Sequence, residues 1–314
     1  MQTRRMGRTD VELSPVILGG WLFGGDHWSR KIDDEESIRT IHAAMDSGIT
    51  MIDTAETYGG GHSEEVIGRA LVGRRERMMI ATKVWETNLT REGIESSLTR
   101  SLELLQTDYV NLYQVHRPSD TIPIEESMEK LAECQADGRI QHIGLSNFSV
   151  PQMEAARRVA RFETMQPPYH LFWRYIEKEE LPWCQANDVT VNSYSPLAQG
   201  LLTGLLKRGD SEGRMGDWLF MPDVLPLALD AVEVVRAIAA RNGHSVIEVA
   251  LAWVIAQEGV VPIVGARTPE QIEGIVRAAE VVLSDDELDE LVAVGDEVMA
   301  ALGDKDPMWQ FKRD

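Results

Sequence analysis

The sequence predicts an α/β protein, a (β/α)8 barrel with an N-terminal β-hairpin and two extra helices. Three observations carry that reading. Short β-type runs and amphipathic helical stretches alternate through eight strand–helix units. The strands are mostly apolar without alternation, as strands covered on both faces must be. An open doubly wound sheet, the plainer rival, normally shows a Gly-x-Gly-x-x-Gly turn after a strand, and none is present.

Residues 4–13, with Gly7-Arg8-Thr9-Asp10 at the centre, read as the hairpin. Residues 14–20 form the first barrel strand, followed by a long polar loop to Asp34 and a helix over 35–47. Strand 50–53 leads to helix 64–71, and strand 79–83 to helix 92–105, where Ile94, Leu98, Leu102 and Leu105 fall at helical spacing. Strand 109–116 precedes helix 125–136, and strand 143–146 precedes a helix opening at Pro151, a residue suited to a first helical position. Strand 164–166 leads to a helix near 179–187, and strand 189–195 to an insertion over 209–226 that contains Trp218 and Phe220. Helical stretches 228–241 and 245–257 precede the eighth strand, 261–264, and its helix over 269–279. Residues 285–301 give a terminal extra helix, and 304–314, with Trp309 and Phe311, an irregular tail.

The 314 residues suit one barrel domain spanning 1–314 and can bury a large core, 43% of them being apolar. No apolar run has membrane-spanning length, and the basic start Met1-Gln2-Thr3-Arg4-Arg5 lacks the apolar stretch of a secretory signal. Cys134 and Cys184 are the only cysteines, with nothing at metal spacing, so no metal is expected and a reducing cytoplasm fits. A formal charge of −20 argues against a nucleic-acid partner and requires locally placed cations for any anionic cofactor. An oligomer is compatible with the sequence but not implied by it.

Function is written at the strand ends. Asp53 closes one strand and Tyr58 lies in the loop beyond it; Lys83 closes the next strand and His116 the one after. In a parallel barrel, catalytic side chains collect at the carboxyl ends of different strands. An acid/base site needs a proton donor, and free tyrosine, with a pKa near ~10, is too weak an acid. A lysine beside it is expected to lower that value, an aspartate to keep the lysine charged, and a histidine to hydrogen-bond a reacting oxygen. Taken singly, the aspartate reads as a turn former, the lysine as solvated surface and the histidine as a core residue.

The stretches Asp53-Thr54-Ala55-Glu56-Thr57-Tyr58-Gly59, Ala81-Thr82-Lys83 and Leu112-Tyr113-Gln114-Val115-His116 resemble the aldo-keto reductase superfamily. So do Ile143-Gly144-Leu145-Ser146-Asn147-Phe148, Gln166-Pro167-Pro168-Tyr169, the run from Tyr194 to Gly204, and Val264-Gly265-Ala266-Arg267. These stretches stand in the family's order over nearly the whole chain, nearest in kind to bacterial general-stress reductases and the potassium-channel β-subunit branch. The resemblance implies NADPH-dependent reduction of aldehydes or ketones, with Asp53, Tyr58, Lys83 and His116 as catalytic residues. The alternatives are a sugar or polyol dehydrogenase running in reverse, and a cofactor-sensing binding module like the channel subunits.

For the cofactor, Ser146, Asn147 and Gln166 are placed to bind a carboxamide, and Tyr194 to stack on a nicotinamide face, as its family counterpart does. Ser195, Leu197, Gln199, Gly200 and Leu202 belong to a loop whose glycines let backbone approach a pyrophosphate. Gly265, Arg267 and Gln271 open the eighth loop and helix, where barrels commonly hold phosphate. Trp21 is either a cofactor wall or core. Arg267 is expected to meet a 2′-phosphate, hence the preference for NADPH over NADH.

Trp28, Trp85 and Arg117 are the candidate substrate residues, with Trp218 on the same face. Two positions depart from the family pattern. Ile275 stands where an asparagine commonly contacts adenine, and Arg117 where a tryptophan commonly follows the histidine. Arg117 either suits an anionic or polar substrate or pairs with a nearby carboxylate. Both readings stand open in the sequence.

Overall fold

The computed structural model describes residues 3–25, 33–207 and 218–303. Two short antiparallel strands, β1 (Arg4–Arg5) and β2 (Glu12–Leu13), form the hairpin. Eight parallel strands follow: β3 (Ile17–Gly19), β4 (Met51–Asp53), β5 (Met79–Val84), β6 (Val110–Val115), β7 (Ile140–Ser146), β8 (Thr164–Gln166), β9 (Thr190–Ser193) and β10 (Val260–Gly265). They close in sequence order, β10 pairing with β3, which is the TIM-barrel topology.

Each barrel strand is followed by a helix. These are α1 (Asp34–Asp46), α2 (His62–Leu71), α3 (Arg91–Leu105), α4 (Ile124–Ala136), α5 (Val150–Val159) and α6 (Glu180–Ala186). After β9 come α7 (Leu225–Asn242) and α8 (Val246–Ile255), and after β10 come α9 (Pro269–Arg277) and α10 (Asp285–Leu302). Thus α7 and α10 are the two extra helices. Local chemistry sets two helix starts: Ser245 with Glu248, and Ser284 with Glu287, form capping boxes on α8 and α10.

The expected strand bounds were too long in places. The first barrel strand begins at Ile17, because the Ser14 amide donates to the Thr50 hydroxyl and the Ser14 hydroxyl donates to the Val16 carbonyl. The seventh ends at Ser193, because Ser195 turns into the left-handed region at φ 55°. The expected insertion over 209–226 is shorter at its end, since Trp218–Phe220 form a 3-10 turn and α7 starts at Leu225. The tail over 304–314 lies outside the described residues.

The core has two parts. The larger lies between the barrel and its helices, and there Tyr169, Trp173 and Trp253 are fully buried. The smaller fills the N-terminal half of the barrel with Ile17, Met51, Ala81, Leu112, Val261 and Ile263, and the hairpin plugs that end with Met6 and Leu13. Side chains two residues apart point the same way along a strand. The inward columns therefore run from Met51 to Asp53, Ala81 to Lys83, Leu112 to Gln114 and Thr164 to Gln166. An apolar floor carries a polar upper layer.

Helices α2 and α3 pack where α2 has no side chain, at Gly68. A β-carbon there would collide with the Leu104 carbonyl and stand 2.9 Å from the Leu105 carbonyl carbon. Alanine gains up to ~1 kcal/mol of helix propensity over glycine, but overpacking costs about 1–3 kcal/mol. Gly68→Ala is expected to be net destabilising in urea denaturation. A more stable variant would show that the two helices part cheaply.

Candidate active site

The site forms where the polar ends of the inward columns meet. Lys83 is fully buried, and its ammonium has an oxygen for each proton. Asp53 Oδ1 lies at 2.5 Å, the Thr54 carbonyl at 2.8 Å and the Tyr58 hydroxyl at 3.3 Å. Burial is the largest single effect and pushes the Lys83 amine down, but Asp53 and Tyr58 together outweigh it and hold the group above its ordinary value. The other oxygen of Asp53 accepts from Gln114 Nε2 at 3.0 Å and from Gln166 Nε2 at 2.9 Å. Gln166 Nε2 also donates to Gln114 Oε1 at 3.1 Å, closing a ring of three side chains.

Tyr58 reaches Lys83 because its loop lies flat on the turn after β3. Gly59 is left-handed at φ 63°, and a β-carbon there would run into the Gly24 carbonyl. A β-carbon on Gly24 would stand 2.7 Å from the Tyr58 carbonyl carbon. The phenol departs from the sequence expectation. Burial pushes it above its ordinary value, and Lys83 pulls it back only in part. A lysine neighbour is visible in a sequence; the desolvation that opposes it is not.

His116 follows β6, its ring edge-on to Tyr58 at 5.8 Å between centroids and to Trp85 at 4.9 Å. Burial first, then Lys83 and Arg117, hold the imidazole well below its usual range, so it is neutral near pH 7. Among the described residues its buried Nδ1 has no hydrogen-bond partner.

The expected carboxamide residues lie beside this cluster, largely bonded to one another. Ser146 Oγ donates to the Gln166 carbonyl at 2.8 Å, and Asn147 Nδ2 donates to the His116 carbonyl and Ser146 Oγ, each at 3.0 Å. The Tyr194 hydroxyl donates to Asn147 Oδ1 at 3.0 Å. A carboxylate and a carbonyl can only accept, so both amides are fixed in orientation. The N–H groups of Gln166 and Asn147 are spent inside the protein, and the capacity left is that of acceptors. Acceptors suit the N–H2 of a carboxamide, so the residues fit a nicotinamide.

After β9, Ser195, Ala198 and Gln199 are left-handed at φ 55°, 50° and 55°, with Gly200 at φ 96°. The Ala198 N–H donates to the Ser195 carbonyl, and the Gly200 and Leu202 N–H groups to the Leu197 carbonyl, which holds the loop in this turned shape. Gln199 Nε2 donates to Ser195 Oγ at 3.3 Å, while Leu197 is half-buried. Leu202 is fully buried in the core, so only its backbone could face a cofactor. Gly265 ends β10 exposed, and Trp21 stands half-buried after β3. Arg267 is half-buried two residues before α9, and its backbone N–H donates to Gln271 Oε1 at 2.7 Å. Ile275 packs into the main core at 4% exposure and offers no polar group.

The substrate candidates divide. Trp85 stands against His116. Arg117 pairs with Glu86 and lies 5.7 Å over the Trp85 ring, so the ion-pair reading of Arg117 is the one observed. Trp218 packs on the core, and Trp28 lies outside the described residues. Three functional residues were missed in the sequence: Gln114, Glu86 and Glu56. The buried Glu56 accepts from the Trp85 amide at 2.6 Å and from Asn88 Nδ2 at 3.1 Å, pinning the turn that carries Trp85. Gln114 was detectable as a polar residue in the inward column of Leu112, but the partners of Glu56 and Glu86 come from tertiary folding.

Fold and site together define a barrel oxidoreductase, and comparison with known proteins places it. The chain belongs to the aldo/keto reductase family, whose sequence pattern matches residues 15–296. It is 40% identical over 291 residues to aldo-keto reductase YhdN of Bacillus subtilis (strain 168), covering 88% of each chain. It is 33% identical over 306 residues to the NADH-specific methylglyoxal reductase of Escherichia coli (strain K12), covering 89% of this chain and 94% of that one. Among solved structures, the glycerol dehydrogenase AKR11B4 of Gluconobacter oxydans superposes with a TM-score of 0.86 at 36% identity, covering 99% of both chains. An aldo-keto reductase of Klebsiella pneumoniae in complex with NADPH gives 0.78 at 32%, covering 93% of this chain and 94% of that one. The family uses nicotinamide cofactors and acts on small carbonyl compounds. Among the described residues, no helix is long and apolar enough to cross a membrane.

Removing either partner of the Asp53–Lys83 pair strands a buried charge. Lys83→Met and Asp53→Asn are each expected to cost about 3–5 kcal/mol, and the double variant clearly less than the sum. Urea denaturation of the four proteins measures this, and strictly additive losses would mean that the pair is not coupled.

Proposed function

We propose that the protein reduces aldehydes or ketones to alcohols, with NADPH as hydride donor and Tyr58 as general acid. The observation that carries the reading is one buried ammonium touching both the Tyr58 hydroxyl and the Asp53 carboxylate. When bound, NADPH supplies the hydride that reaches the carbonyl carbon. The chain's own residues manage the proton and the charge.

Tyr58, kept protonated at neutral pH by burial, donates to the developing alkoxide. Its phenolate appears only as the proton leaves, and Lys83 is already beside it. Unit charges ~4 Å apart interact by about 4 kcal/mol at an effective dielectric of ~20. That help is greatest in the transition state, where it accelerates the step. Asp53 holds Lys83 charged, and neutral His116 offers an N–H to the carbonyl oxygen without adding a second cation. Ser146, Asn147 and Gln166 would take the carboxamide and Tyr194 the nicotinamide face. Ser195, Leu197, Gln199 and Gly200 would follow the pyrophosphate, with Trp21 and Gly265 as walls.

The reverse reaction is the second reading, favoured by the similarity to a glycerol dehydrogenase. Oxidation needs Tyr58 to begin as phenolate. A phenol held above its ordinary value reaches that form only at alkaline pH, so neutral pH favours reduction.

Tyr58→Phe is expected to lower kcat/KM for reduction by about 10²–10⁴-fold while leaving cofactor affinity nearly unchanged. In the unmutated protein, reduction should hold steady through neutral pH and fall as pH rises through the raised phenol pKa, while oxidation climbs over the same range. Steady-state kinetics and fluorescence titration decide it, and turnover by the variant within a few-fold of wild type sinks the assignment.

Preference for NADPH over NADH rests on Arg267 beside the amino terminus of α9, where guanidinium and helix dipole act together on a 2′-phosphate. A charge-assisted bond is worth roughly 1.5–3 kcal/mol, or about 10- to 150-fold in affinity. Arg267→Ala should lose most of that preference through weaker NADPH binding. Equal dissociation constants for the two cofactors in the unmutated protein, at fixed ionic strength, would defeat the proposal.

A further inference from the structure

The wall beside His116 is built from Trp85, Glu86 and Arg117. Buried Glu56 fixes the backbone of Trp85, whose ring stands edge-on to His116 at 4.9 Å. Arg117 lies 5.7 Å over that same ring and pairs through Nε with Glu86. Their side chains are 26% and 23% exposed, so both charges are partly removed from water and their effect is felt at short range. An arginine at this place by itself would attract a substrate carboxylate. Paired, Arg117 and Glu86 cancel each other, and an incoming carboxylate must displace Glu86 or lie against it.

We propose that Glu86 is a specificity-determining residue: by neutralising Arg117 it restricts the site to uncharged carbonyl compounds and rejects those that carry a carboxylate. This rests on the reductase reading and names the substrate class it would serve. The whole-chain charge of −20 acts in the same direction at longer range. Trp85 gives such substrates an apolar face to lie on.

The test compares 4-formylbenzoate with its methyl ester, which share the ring and the reacting aldehyde and differ in charge. The wild-type protein is expected to favour the ester by at least about 10-fold in kcat/KM. Glu86→Gln should narrow that ratio about 10-fold, chiefly by lowering KM for the acid, because Arg117 then meets the substrate carboxylate. Adding Arg117→Leu to Glu86→Gln should restore the discrimination, since both charges of the pair are then removed. A wild-type protein that takes acid and ester alike overturns the proposal, as does a Glu86→Gln ratio within two-fold of wild type.

Both compounds are also titrated calorimetrically into each protein with oxidised cofactor, where no turnover occurs. Acid binding that rises in Glu86→Gln, alongside no reduction of either aldehyde by any variant, would support the charge filter and overturn the reductase reading. Turnover of both aldehydes, with binding and ratios blind to Glu86, would do the opposite.

Discussion

The site depends on a buried lysine that stays charged. An isolated ammonium in a protein interior costs several kcal/mol and normally deprotonates instead. Lys83 escapes this because each of its protons meets an oxygen, one of them a full carboxylate at 2.5 Å. The barrel makes that arrangement possible. Neighbouring parallel strands set Asp53 and Lys83 at the tops of adjacent inward columns, and the apolar layer below keeps water out. Tyr58 is then brought to the third proton by a loop that fits only because Gly24 and Gly59 lack side chains.

Asp53 has a second task. While Oδ1 faces Lys83, Oδ2 gathers the amides of Gln114 and Gln166. Gln166 is at once a ligand of Asp53 and, in the proposed reading, a contact for the nicotinamide carboxamide. Asn147 does the same on the other side, joining the His116 backbone to Tyr194. In the proposed reading, residues for the proton and residues for the cofactor thus share hydrogen bonds, and displacement of one disturbs the other.

Much of this was legible in the sequence, for a physical reason. Strand and helix periodicity are local, and a parallel barrel sends the ends of successive strands to one face, so reading strand ends amounts to reading the site. The eight units, the hairpin, both extra helices and the set Asp53, Tyr58, Lys83 and His116 were accessible in that way. What was not legible depends on burial or on distant partners. Lys83 beside Tyr58 suggests a lowered phenol, yet desolvation wins and the phenol is raised. Arg117 suggests an anion site until Glu86 folds against it. Leu202 lies in a glycine-bearing loop yet turns into the core, a choice made by packing. The left-handed turn at Ser195, which ends β9 early, has no glycine to announce it.

Charge bookkeeping joins these observations. Lys83 is matched by Asp53, Arg117 is matched by Glu86, and Tyr58 and His116 are both held neutral. Together these six side chains therefore carry almost no net charge. A dinucleotide phosphate arriving at a chain of charge −20 must find its attraction elsewhere. In the proposed reading, the places left are the left-handed backbone after β9, the start of α9, and Arg267 beside it. Separation of this kind is chemically sensible. In the proposed reading Arg267 serves the cofactor, while Lys83, bonded to the Tyr58 hydroxyl, acts on the phenol during proton transfer.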